Sequence, residues 1–271
     1  MIIFVHIPKS AGTSFNRMIE RNFSYTFDFD RGMEKWSINN RNILDAFLDG
    51  QKIGVKPDYC RGHFAHGFHN IFEYDLEFNY ITFLRNPVER TISAIRFCAD
   101  RMPSMGLFGD DEFHKAYNLN YKDKNNKRGA ISFLEVCLEK NMFGNVQVKQ
   151  LSGLANLKNI SLNHDEQISA RWFSPYHREF EPYSESQMQE MLDAAIDNVE
   201  KYAFVGFKED MSGSLGRFES TFPDLKLKRH RSRFKSSKSR YFNGLTKKAY
   251  VLLNEMNKYD IKLCEHFRRK T

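Results

Sequence analysis

Residues 2–19 read IIFVHIPKSAGTSFNRMI, and the two halves of that stretch obey different periods. The β-branched and aromatic run IIFVHI, ended by Pro8, has the make-up of a buried strand. Beyond the turn, Phe15, Met18, Ile19 and Phe23 fall at helical spacing. Strand, polar glycine-containing turn and helix, in that order, open a nucleotide-binding α/β unit. Such a turn presents backbone N–H groups that lack intrahelical partners, at the positive end of the helix dipole, so an anion is its natural occupant. Gly12 lets the backbone come close, Thr13 and Ser14 offer hydroxyls, and Lys9 adds a full positive charge. A capped helix beside a surface lysine would show the same residues, so a second signal is needed.

That signal is FNYITFLRNPVERTISAIRFCADRM, residues 78–102. An apolar strand runs to Leu84, after which Asn86 is placed as an N-cap, Pro87 as the first helical residue and Glu89 as the third. Arg85 then stands at the C-terminal edge of a strand, where open α/β sheets bind ligands. The two units predict an α/β fold with a mostly parallel central sheet flanked by helices.

The chain has 271 residues, 41% hydrophobic and 28% charged, without low-complexity tracts. This suits a single domain over 1–271 with its own core. A formal charge of +7 favours an anionic partner, whether phosphate, sulfate, acidic glycan or nucleic acid. Cys60, Cys98, Cys137 and Cys264 are widely spaced with no CxxC pair, and are expected to be reduced and buried. No stretch reaches the about 18 to 20 apolar residues that cross a bilayer, and MIIFVHIPKS lacks a basic leader, so the expectation is a cytoplasmic chain without a membrane span.

Between the two units, PDYCRGHFAHGFHNIFEYD reads as a short strand entering a loop or helix start. Residues 100–130 read as a surface excursion, AISFLEVCLEKN and SESQMQEMLDAAIDNVEKY as amphipathic helices, and AFVGFKEDMSGSLGRFESTF as strand, turn and helix. Residues 226–241, KLKRHRSRFKSSKSRY, concentrate Lys and Arg, and the tail from Thr246 returns to helical spacing.

A Walker A loop would put the lysine directly after the glycine, next to the hydroxyl that ligates magnesium. Here Lys9 precedes Gly12, and no glycine opens the loop. FVHIPKSAGTSF instead resembles the 5'-phosphosulfate loop of carbohydrate sulfotransferases that use 3'-phosphoadenosine 5'-phosphosulfate (PAPS), the group of the heparan sulfate 2-O- and 6-O-sulfotransferases and their bacterial relatives. FLRNPVERTISAIRF resembles their 3'-phosphate motif, an Arg at a strand end with a Ser eight residues on, here Arg85 and Ser93. GHFAHGFH, NVQVKQLSG, YAFVGFKEDMSGSL and NKYDIKLCEHF resemble further segments of the family, which extends the match over most of the chain.

The resemblance implies a P-loop-like sulfotransferase fold in a bacterial protein, and transfer of the sulfuryl group of PAPS to a carbohydrate hydroxyl, with adenosine 3',5'-bisphosphate (PAP) released and no metal required. Lys9 would stabilise the leaving phosphate. Ser10, Ala11, Gly12, Thr13 and Ser14 would hold the 5'-phosphate, and Arg85 and Ser93 the 3'-phosphate. Arg229 and Arg231, with Arg233 and Lys235, would close over the nucleotide or an acidic acceptor. His63 is the expected general base, since an imidazole with an ordinary pKa of ~6.5 accepts a hydroxyl proton near neutrality. The 2-O-sulfotransferases carry a second histidine two positions earlier, where this chain has Arg61. His66 and His69 are rival bases, and His6 reads as structural. The three histidines at spacings of three lack accompanying carboxylates or cysteines, so no metal site is expected. Asn145, Gln147 and Lys149 are candidates to face the acceptor. Two other readings stay open from residues alone: an ATP-dependent phosphotransferase with an atypical loop, and a nucleic-acid-binding module built on residues 226–241.

Overall fold

The computed structural model describes residues 1–28, 57–71, 77–105, 127–139, 143–154, 183–228 and 245–270. Among these, five strands form one sheet in which every pair is parallel. They are β1 (Ile2–Val5), β2 (Thr26–Asp28), β3 (Tyr59–Gly62), β4 (Asn79–Leu84) and β5 (Phe204–Phe207), in the order β2-β3-β1-β4-β5. Among the described residues eight α-helices flank the sheet: α1 (Gly12–Ile19), α2 (Pro87–Met105), α3 (Lys127–Glu139), α4 (Val146–Ser152), α5 (Glu185–Glu200), α6 (Met211–Thr221), α7 (Lys247–Met256) and α8 (Lys258–Arg268).

Because side chains alternate along a strand, β1, β3, β4 and β5 between them supply two cores. Ile3 and Val5 of β1, Cys60 of β3, Tyr80 and Leu84 of β4 and Phe207 of β5 pack with α4, α5 and α8. Ile2 and Phe4, Tyr59, Ile81, Phe83 and Phe204 turn the other way, onto α1 and α6. Phe15 is the centre of that second layer, edge-on to Phe4 (ring centroids 5.4 Å) and to Phe218 (5.0 Å). Truncating so large a buried ring typically costs about 3–5 kcal/mol. A third cluster joins α2, α3 and α7 through Ile95, Phe133, Leu134 and Leu253.

β1 therefore leads into a helix on one face of the sheet, while its neighbour β4 leads toward helices on the other. In open α/β sheets a divergence of this kind marks the C-terminal ends of the two strands, here β1 and β4, as the place where a ligand is expected.

The helix starts follow their capping residues. Asn86 accepts the Glu89 N–H at 3.1 Å, Ser184 and Gln187 form a reciprocal capping box, and Thr246 and Asp210 cap α7 and α6. One helix is shorter than the apolar spacing suggests. Phe23 lies outside α1, because the Asn22 side chain donates to the Ile19 carbonyl at 2.9 Å and ends the helix there. Phe23 stacks on Tyr59 instead, centroids 4.7 Å apart. α2 runs on to Met105 and α3 starts at Lys127, so both ends of the segment read as an excursion are helical, and its middle lies outside the described residues. Cys60, Cys137 and Cys264 are free thiols and buried. Among the described residues, no helix is long and apolar enough to cross a membrane.

Candidate active site

The chain leaves β1 through a bend of unusual backbone. Lys9 has φ 69° and Ala11 φ 72°, both in the left-handed region that residues with a Cβ rarely enter. Ala11 is the N-cap of α1, yet it has no side-chain oxygen with which to cap. The Ser14 N–H turns back to the Ala11 carbonyl at 3.0 Å, which leaves the Gly12 and Thr13 amides of the first turn for an external acceptor. Ser10 adds a second demand: it is fully buried, and its Oγ has no hydrogen-bond partner among the described residues. A buried hydroxyl without a partner costs roughly 1–3 kcal/mol, and an anion seated in the bend would satisfy it. Thr13 is exposed and Ser14 half-buried on the same turn.

Gly12 has a steric role that its sequence context hides. A Cβ there would sit 1.9 Å from Cδ2 of the His6 ring. His6 fills the space behind the bend, 5% exposed, with Nδ1 3.5 Å from the Arg61 guanidinium. Arg61 is anchored in turn by Asp28 at 3.2 Å. The arginine found where the 2-O-sulfotransferases have a histidine thus pairs across β2 and β3.

His63 follows β3 directly. Its Nδ1 lies 2.6 Å from the His6 carbonyl, and its ring lies tilted by 32° against the His6 ring with centroids 4.3 Å apart. A carbonyl can only accept, so Nδ1 carries the proton and Nε2 the lone pair of the neutral ring. His66 and His69 belong elsewhere. His66 Nδ1 meets the Tyr202 hydroxyl at 3.2 Å, and His69 Nδ1 meets that of Tyr80 at 2.9 Å. Tyr80 stands near the start of β4, so this pair lies toward the opposite edge of the sheet from the bend. Burial drives His66 down to about 4 and lowers His69 as well.

Arg85 leaves β4 beside the bend. Its Nη1 donates to the Lys9 carbonyl at 2.9 Å, Nη2 is 3.6 Å from Glu89, and its buried Nε has no partner among the described residues. The Lys9 ammonium rests 4.1 Å above the ring of Phe97 on α2. Glu89, Ser93 and Phe97 are four apart, so they share one stripe of that helix. Ser93, half-buried, therefore lies on the side of α2 that meets Arg85 and Lys9.

Two glutamines of α4 fix these strand ends. Gln147 accepts the Arg85 N–H at 3.0 Å and returns a bond to the Arg85 carbonyl at 2.9 Å. Gln150 donates to the carbonyls of His6 (3.2 Å) and Phe64 (2.8 Å). Asn145 Oδ1 accepts from the N–H groups of Tyr259 and Asp260 at the start of α8. Asn145 and Gln147 are thus buried and committed to main chain, not turned toward an acceptor. Lys149 is the least buried of the trio, its ammonium 5.6 Å above the Tyr183 ring and its pKa lowered by partial burial.

One cation went unread in the sequence. Lys208, the residue after β5, sits beside Arg85, and its N–H donates to the Leu84 carbonyl at 2.9 Å. The rule that singled out Arg85, a basic residue directly after an apolar strand, also describes AFVGFK. Arg229, Arg231, Arg233 and Lys235 lie outside the described residues. The backbone leading to them is anchored on α1, with Lys228 N–H donating to the Met18 carbonyl at 3.2 Å.

The strand ends thus bring together a strained bend, a lysine, an arginine and an oriented histidine. No curated protein matches this chain. The sequence model of the sulfotransferase family matches residues 1–265, nearly the whole length, and the chain belongs to that family.

Proposed function

We propose that this protein moves the sulfuryl group of PAPS to a hydroxyl of a carbohydrate acceptor, with His63 as general base. One observation carries the nucleotide part of the reading. The bend before α1 joins a left-handed, uncapped helix start to a buried Ser10 hydroxyl lacking a partner, and Arg85 bonds to that same bend. Two phosphates fit this set of donors. The α1 amides with Ser10, Thr13 and Ser14 suit the 5' group, and Arg85 with Ser93 suits the 3' group.

PAPS, when bound, supplies an activated sulfuryl group whose departure leaves negative charge on the 5'-phosphate. Lys9, with its ammonium held over Phe97 beside the bend, is the cation that stabilises such charge. His63 holds its Nδ1 proton against the His6 carbonyl, and Nε2 takes the proton that the acceptor hydroxyl loses. The net positive charge of +7 favours an acceptor that already carries carboxylates or sulfates.

The test is calorimetric titration with PAP, followed by incubation with radiolabelled PAPS and a panel of neutral and acidic glycans. Micromolar PAP binding and label transfer to a glycan are expected, and Lys9→Ala should abolish transfer. Absence of PAP binding at millimolar concentration would refute the reading.

A further inference from the structure

Strand β5 pairs with β4 so that Phe207 faces Leu84, which makes Lys208 the next partner of Arg85. Leu84 and Phe207 both turn toward the layer of α4, α5 and α8. By the alternation of the pleat, Arg85 and Lys208 turn together toward the α1 side, where Arg85 meets Lys9. Three cations therefore share one corner of the site, in the order Lys9, Arg85, Lys208 across the sheet.

The nearby carboxylates do not neutralise this corner. Glu209 accepts the Asn86 N–H at 2.9 Å through one oxygen and Arg268 at 3.1 Å through the other. Glu89 leans on Arg85 at 3.6 Å with its side chain 62% exposed. Lys208 has no ion pair among the described residues. Partial burial, then the charge of Arg85, and more weakly that of Lys9, bring its amine down to about 8, against the opposing pull of Glu209 and Glu89. A half-buried lysine beside a buried arginine with a spare Nε–H forms an arrangement that a dianion would stabilise.

We propose that Lys208 is a third cation of the nucleotide site, sharing the ribose 3'-phosphate with Arg85 and so selecting a 3',5'-bisphosphate over a 5'-monophosphate. The inference rests on the nucleotide reading given under Proposed function. The 3' position follows from strand order. β5 lies two strand spacings from β1, roughly 9–10 Å, on the far side of Arg85 from the bend that suits the 5' group. A lysine charged below about pH 8 and neutral above it also makes the preference depend on pH, with Arg85, Lys9, Glu89 and Glu209 the charged groups that face it.

The experiment titrates adenosine 3',5'-bisphosphate and adenosine 5'-monophosphate into the wild type, Lys208→Met and Lys208→Arg at pH 7 and pH 9, with denaturant melts to verify folding. The wild type should prefer the bisphosphate, by a ratio that drops several-fold at pH 9. Lys208→Met should lose on the order of tenfold in bisphosphate affinity at pH 7, with 5'-monophosphate binding nearly unchanged. Lys208→Arg should keep the preference at both pH values. If Lys208→Met discriminates as the wild type does, Lys208 is not part of the site, although the nucleotide reading survives. If the wild type binds neither nucleotide, that reading and this one fall together.

Discussion

Arg85 donates from Nη1 to the backbone carbonyl of Lys9 at 2.9 Å, joining the end of β4 to the bend before α1 across 76 residues of sequence. The bond does two things at once. It holds the strained bend from outside, and it fixes the guanidinium beside the helix start, with Nε still available for a ligand. Under the proposed function, binding and loop geometry are therefore coupled at this residue.

Arg85→Ala is predicted to weaken PAP binding by about 10- to 100-fold, since one charge-assisted contact and the brace on the bend are lost together. Arg85→Lys should recover little, because an ammonium cannot reach carbonyl and phosphate with the planar fork of a guanidinium. Calorimetry on both variants checks this, and near-wild-type affinity for either one would contradict it.

Gly12→Ala is predicted to destabilise the fold by about 1–3 kcal/mol through overpacking, because the new methyl overlaps the His6 ring. Combining it with His6→Ala should return part of that loss, a coupling that additive effects would not give. Urea midpoints of the two single variants and the double variant measure it.

Gln150→Met keeps the volume and removes the amide donor, leaving the Phe64 carbonyl without that bond and the His6 carbonyl with one bond fewer. A loss of about 1–3 kcal/mol is expected in denaturant melts. The His6 carbonyl also receives His63 Nδ1, so transfer activity should fall while PAP affinity stays close to wild type. His63→Ala should show the same split in stronger form.

Stability should decline on acidification between about pH 6.5 and pH 4. His66 is held neutral by burial down to about 4, whereas the unfolded chain protonates it near 6.5. Its contribution is complete above 6.5 and disappears as the pH falls through that window, on the order of 2 kcal/mol after allowance for partial solvent exposure. His69 is shifted in the same direction by the same cause. His66→Gln should flatten this part of the stability profile, as chemical denaturation at stepped pH would reveal.

The parts legible from sequence are those set by neighbours along the chain. The change of period at Pro8, the Asn86 cap and the strand end at Arg85 each follow from a few adjacent residues, and so the parallel α/β design could be anticipated. The histidines were less tractable, because GHFAHGFH does not say which ring leaves the strand toward His6 and which turns toward Tyr80 and Tyr202. Gln147 read as a candidate to face the acceptor and Gln150 carried no signal of its own, and only their partners 62 and 144 positions away reveal them as staples of the strand ends. Lys208 was one of 41 Lys and Arg residues until register set it beside Arg85.

The buried thiols carry one more consequence. Cys60 lies inside β3, with β1 on one side and β2 on the other, and burial pushes its pKa far up, so the reactive thiolate is scarce as well as shielded. An alkylating reagent can reach that sulfur only when the strands part. The rate of adduct formation at Cys60, followed by peptide mass spectrometry, would act as an internal clock for breathing of the sheet, and a tightly held nucleotide would slow it.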